Sequence, residues 1–91
     1  MPESLDEVRA GIDAIDAQLV RLLAERQGLV EAAAAFKKDE DAVRAPDRVA
    51  QVIAKVRAKA ADAGLSPEVA EAVWRAMIGA FIELELAEHR R

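Results

Sequence analysis

Residues 4–37 read SLDEVRAGIDAIDAQLVRLLAERQGLVEAAAAFK. Leu5, Val8, Ile12, Ile15, Leu19, Leu22, Leu29, Ala33 and Phe36 follow the alternating three-and-four spacing of a heptad seam. The seam breaks once, at Arg26, between Leu22 and Leu29. Ser4 and Glu7 form a Ser-x-x-Glu capping box, and Asp6 and Glu7 lie in the first turn, where the helix dipole favours anions. The stretch predicts one helix from Ser4 to about Lys37. At 1.5 Å per residue it makes a rod of about 50 Å. A compact chain of 91 residues has a radius of gyration near 12 Å, so a diameter of roughly 30 Å. The rod overhangs any globule this chain can build. Another chain must cover its seam, so the expectation is an obligate helical oligomer, most simply a two-fold homodimer.

Outward from this helix, Lys38 to Ala45 (KDEDAVRA) has no apolar period and carries Asp39, Glu40 and Asp41 in succession. It reads as a polar loop that orders when ligand binds. Pro46 fits the first turn of a second helix, predicted over Pro46–Ala63 with Val49, Val52, Ile53, Val56 and Ala60 on one face and Gly64 as its stop. Ser66-Pro67-Glu68 starts a third helix, to about Glu88. Its stripe is Val69, Val73, Trp74, Met77, Ile78, Phe81 and Ile82, and the next turn of the stripe lands on Glu85. The fold class is all-α: one long helix and two shorter ones, in a single domain over residues 1–91.

Composition narrows the function classes. The chain is 53% hydrophobic and 3% aromatic, has no cysteine and has a formal net charge of −4. Thiolate nucleophiles and cysteine-ligated metals are excluded. The single histidine, His89, disfavours a histidine-based triad or a multi-histidine zinc site. The acidic balance argues against general nucleic-acid or anionic-membrane binding, though not against a small anion held by a few placed cations. There is no run of eighteen apolar residues and no basic-then-apolar leader, so the expectation is a soluble cytoplasmic protein.

Several charges keep apolar company. Arg26 is either a snorkelling side chain with a packed stem or an anion site within the helical assembly. Lys37 lies eleven residues on. If the helix continues, it shares a face with Arg26 about 16 Å along the axis, and a small dianion fits between them. The plainer reading is a cation at a helix C-terminus. Arg9 is about 25 Å from Arg26 along the helix and cannot serve the same small ligand from the same chain, although an antiparallel partner can bring its own Arg9 there. Arg48 is the fourth candidate cation, and a solvated face accounts for Arg9 and Arg48 equally simply. Glu85 is either a carboxyl kept neutral by desolvation, able to donate a hydrogen bond, or the partner of a nearby arginine, or a residue exposed by fraying near the end of the helix.

Taken together, VRAGIDAIDAQLVRLLAERQGLV and FKKDEDAVRAPDRVAQVI resemble the all-helical (AroQ) class of chorismate mutase, and the resemblance runs over nearly the whole chain. It rests on Arg9 near the start of the long helix, the Ile15-Asp16 pair, Leu-Leu-Ala-Glu-Arg ending at Arg26, and the register of Arg9, Arg26, Lys37 and Arg48. The resemblance implies an intertwined homodimer with two sites, each taking Arg26, Lys37 and Arg48 from one chain and Arg9 from the other. It implies arginines that clamp the two carboxylates of chorismate. Lys37 and Glu85 would hydrogen-bond the ether oxygen. The implied reaction is a Claisen rearrangement to prephenate that needs no cofactor or metal.

The sequence departs from the commonest mutase pattern at three positions. Ala45 and Val49 stand where those enzymes often carry acids near the substrate, and Glu85 stands where many carry glutamine. Ala45 and Val49, with Phe36-Lys37 and the run Ala45-Pro46-Asp47-Arg48-Val49-Ala50, resemble the isochorismate-pyruvate lyase branch of the same family. That branch gives salicylate and pyruvate and often retains some mutase activity. The readings are therefore a chorismate mutase, an isochorismate-pyruvate lyase, and a catalytically silent helical dimer acting as an interaction module.

Overall fold

A computed structural model describes residues 2–90, and every regular element in that range is helical. The helices are α1 (Leu5–Ala34), α2 (Glu40–Arg44), α3 (Pro46–Ala63) and α4 (Pro67–His89). The chain divides into two compact units, Met1–Ala32 and Ala33–Arg91. Among the described residues no helix is long and apolar enough to cross a membrane.

The first unit is α1 up to Ala32. Ser4 caps it as expected, its Oγ accepting from the Glu7 N–H at 3.1 Å. The reciprocal half of the capping box is replaced: Glu7 Oε2 accepts from the N–H of Glu3 rather than of Ser4. The seam forms but stays bare. Leu5, Val8, Ile12, Ile15, Leu19, Leu22 and Leu29 are all exposed, and Val20 and Leu23 widen the apolar band. No residue of α1 is buried.

The long helix stops three residues earlier than expected. Nothing in Ala32–Ala35 is a stop signal, yet the Phe36 and Lys37 N–H groups bond to the carbonyls of Ala33 and Ala34, the tight i to i−3 pattern that closes a helix. Phe36, expected on the seam, lies beyond the helix end and is 88% exposed.

The second unit packs α3 and α2 against α4. The predicted α3 boundaries are those observed. Gly64 closes it at φ +81°, and the N–H of Leu65 reaches back to the Ala60 carbonyl, so the last carbonyls are satisfied. Each apolar residue predicted for the α3 face is buried or half-buried, Ile53 and Ala60 most fully. On α4 the stripe is rotated. Val69 and Val73 are exposed, and Ala70, at 1% exposure, takes the inward place, where a small side chain permits close helix approach.

The predicted polar loop also needs correcting. Asp39 accepts from the Ala42 N–H at 2.9 Å and starts the short helix α2, whose Val43 is buried. Ala45 then ends α2 and begins α3 in the left-handed region, at φ 38°. A non-glycine residue there costs roughly 1–2 kcal/mol, and glycine returns part of that as backbone entropy. Ala45→Gly is therefore expected to stabilise the protein by about 0.5 kcal/mol, and Gly64→Ala to destabilise it by about 1 kcal/mol. Urea midpoints at matched protein concentration check both signs.

Ion pairs fasten α3 to α4. Arg57 Nη1 donates to Glu71 Oε1 at 2.9 Å, and Arg75 Nε donates to Glu71 Oε2 at 2.7 Å. The Arg75 hydrogen bond, opposed by partial desolvation and helped by Arg57, holds the Glu71 carboxyl below its ordinary value of 4.5. A lowered folded-state value stabilises the fold above the unfolded value and is lost as pH falls through the folded one. The melting temperature is thus expected to drop on acidification below about 4.5, and to drop less steeply in Glu71→Gln. Parallel melting curves across pH 3 to 6 (roughly the carboxylate range) would count against it.

Candidate active site

The C-terminal half of α4 positions the central feature. Ser66 Oγ accepts from the Val69 N–H and sets the start of the helix. From there Trp74, Met77, Ile78, Phe81 and Ile82 recur at helical spacing, each half-buried. The same stripe carries Glu85 inward, to 6% exposure. A carboxylate so placed needs a partner, and it has one. Lys37 Nζ donates to Glu85 Oε2 at 2.8 Å and to Oε1 at 3.1 Å. Among the described residues no buried side-chain nitrogen or oxygen lacks a hydrogen bond.

Of the alternatives left open for Glu85, exposure by fraying is ruled out, and the cation it meets is Lys37 rather than an arginine. Lys37 sits in the non-helical connector after α1, with about a quarter of its side chain exposed. The helical register used to set it three turns beyond Arg26 does not apply, because α1 ends at Ala34. Arg48 and Val49 stand in the first turn of α3, Arg48 exposed and Val49 half-buried. The Val49 N–H donates to the Ala45 carbonyl at 3.0 Å, which ties that turn to the left-handed cap. Ala45 is half-buried as well.

In the first unit, Arg26 is half-buried and Arg9 exposed, roughly 25 Å apart along α1. Of the six residues singled out in the sequence, the structure joins Lys37 and Glu85 directly and places Arg48 and Val49 in one turn.

Two further charged residues are paired nearby in the chain, Glu40, read in the sequence only as part of a polar loop, and Arg90, which the sequence did not single out. Arg90 Nε donates to Glu40 Oε1, joining the end of α4 to the first turn of α2. That hydrogen bond is the main reason the Glu40 carboxyl lies below its ordinary value, with Arg44 and His89 adding smaller attractions. Arg90 is raised correspondingly. The available signal was Asp39: an N-cap residue ahead of Glu40 and Asp41 marks a helix start, which puts Glu40 on an ordered element.

Lys37 and Glu85 lie 48 positions apart in sequence. The isochorismate pyruvate lyase of Pseudomonas aeruginosa is 32% identical over 87 residues, covering 96% of this chain and 86% of that protein. The family model described as chorismate mutase type II matches residues 8–86. That match starts one residue before Arg9, ends one residue after Glu85, and spans both members of the buried ion pair, so the chain belongs to the chorismate mutase type II family.

Proposed function

We propose that the protein is a chorismate mutase, rearranging chorismate to prephenate. The observation that carries this reading is the buried Lys37–Glu85 pair. A half-buried ammonium held by a buried carboxyl supplies a directional donor where charge is worth more than in open water. In the reaction the ether C–O bond of the substrate breaks as a C–C bond forms, with no group lost and no proton transferred. Negative charge grows on the ether oxygen in the transition state. Lys37 donates to that oxygen, and Glu85 does so as a neutral acid. Binding of the dianion exchanges Glu85 for substrate at Lys37. Arg26 and Arg48, with Arg9 of a second copy, clamp the two carboxylates and hold the flexible substrate near its reacting shape.

The bare seam of α1 supports the second copy. A helix of 30 residues with every seam leucine exposed needs an apolar partner, and a copy of the same chain offers one. In this reading residues 1–91 form one domain completed across an intertwined homodimer. A folded monomer in sedimentation at micromolar concentration would overturn that.

Two observations favour isochorismate-pyruvate lyase as a second reading. The relative that matches 96% of the chain carries that name, and Ala45 and Val49 put an apolar pair where acids are common in mutases. In the lyase reaction the same ether bond breaks while a ring hydrogen ends on the pyruvate methyl group, so the same residues serve. The deciding experiment gives one purified protein chorismate and isochorismate in parallel and compares kcat/KM for prephenate and salicylate. A clear preference for chorismate supports the mutase. A clear preference for isochorismate replaces it with the lyase.

A further inference from the structure

Lys37, Glu40 and Val43 fall three residues apart, and each is engaged in the second unit. Lys37 pairs with Glu85, Glu40 accepts from Arg90, and Val43 is the buried residue of α2, which packs on α4. The segment from Lys37 to Ala45 is a strap fastened to the last turns of α4 by two ion pairs and one apolar side chain. Its far end is fixed as well: the Ala45 N–H bonds to the Asp41 carbonyl, and the Ala45 carbonyl accepts from Val49.

The fastenings differ in kind. The Lys37–Glu85 pair is shielded, whereas Glu40 and Arg90 are both exposed. The functional reading above requires Lys37 to leave Glu85 for the substrate. Were that pair the strap's sole attachment near Lys37, the exchange would release the connector and with it the geometry of Lys37. The Glu40–Arg90 pair stands three residues from Lys37 on one side and five from Glu85 on the other, and the exchange does not break it.

We propose that Glu40 and Arg90 are positioning residues whose ion pair, with Val43 seated, holds the strap on the end of α4 while Lys37 exchanges Glu85 for the anionic substrate. The inference rests on the functional reading above and adds to it two residues that touch no substrate. Because the pair is exposed, its hold weakens as salt rises.

The test is a charge-reversal cycle in the full chain: Glu40→Arg, Arg90→Glu and the two combined. Amide exchange over residues 40–45 is followed without ligand, and kcat and KM are followed with chorismate and isochorismate. Each single reversal is expected to speed exchange about three- to tenfold, since it replaces a surface attraction by repulsion. It is expected to lower kcat about tenfold with little change in KM, because the arginine clamp is intact and only the placement of Lys37 suffers. The combined reversal restores both readouts, which a merely misfolded variant does not. Unchanged exchange, unchanged kcat, or a loss that the combined reversal fails to restore overturns the proposal. An intact exchange cycle in a parent silent on both substrates supports the latch and overturns the reaction it was proposed to serve.

Discussion

Arg26→Ala is expected to lower kcat/KM about a thousandfold while the helices stay folded. The expectation follows from what a guanidinium does for a carboxylate: two parallel charge-assisted hydrogen bonds in fixed geometry, which no water replaces in place. Removing a donor of this kind from a preorganised site typically costs a hundred- to a thousandfold, and losing a clamp arm as well puts Arg26 at the upper end. The helices are expected to survive the change because Arg26 is half-buried on a helix with no buried residue, and alanine favours helix. Helicity by circular dichroism and the unfolding midpoint should stay close to the parent's. Arg26→Lys sharpens the result, since a compact ammonium keeps the charge but not the fork and should recover little activity. If instead the parent is silent and Arg26→Ala is neutral or stabilising, the helices act as an interaction module and Arg26 is a seam charge without a ligand.

Lys37→Ala carries the second large effect, and it falls on stability as well as activity. The substitution leaves the Glu85 carboxylate at 6% exposure without its ammonium. Breaking a fully buried pair from one side costs about 3–5 kcal/mol. Lys37 keeps about a quarter of its exposure, which brings the expectation down to roughly 2–3 kcal/mol, or on the order of 10 °C in melting temperature. Activity should fall at least a hundredfold through loss of a donor to the ether oxygen. Adding Glu85→Gln to Lys37→Ala should recover stability without activity, because the second change removes the orphaned charge but restores no ammonium. A double variant no more stable than Lys37→Ala would show that burial of the carboxylate is not what costs.

The same ion pair shows where the sequence was readable. Pro46, Gly64 and Ser66-Pro67 are punctuation with one physical meaning each, and α3 begins and ends, and α4 begins, where those residues put them. The end of α1 had no such mark. Alanines favour helix, so no residue of the run marks its end, and beyond it Lys37 pairs with a carboxylate 48 positions away. The five residues of α2 are too few for a period to register, so a capped helix passed for a loop. On α4 the pattern picked out the large apolar residues and missed Ala70, because periodicity identifies a stripe but not which edge of it meets the neighbouring helix. The candidate site was legible as a set of residue types, since a charge on an apolar stripe shows in sequence. Its pairing was not, because which cation answers Glu85 depends on where α1 stops.

Under the proposed function, the left-handed Ala45 bears on how substrate preference can change over generations. One residue closes α2 and opens α3, so an insertion or deletion there would shift both helices, whereas a change of side chain need not. Aspartate and asparagine are among the few non-glycine residues that accept this backbone readily. An acid at position 45 is therefore compatible with the conformation already adopted. Alanine and valine codons each lie one base from an acidic codon, so Ala45 and Val49 can both acquire carboxylates without any rearrangement of the main chain. The backbone holds open a short mutational route between an apolar and an acidic wall beside Arg48, and drift along that route requires no new fold.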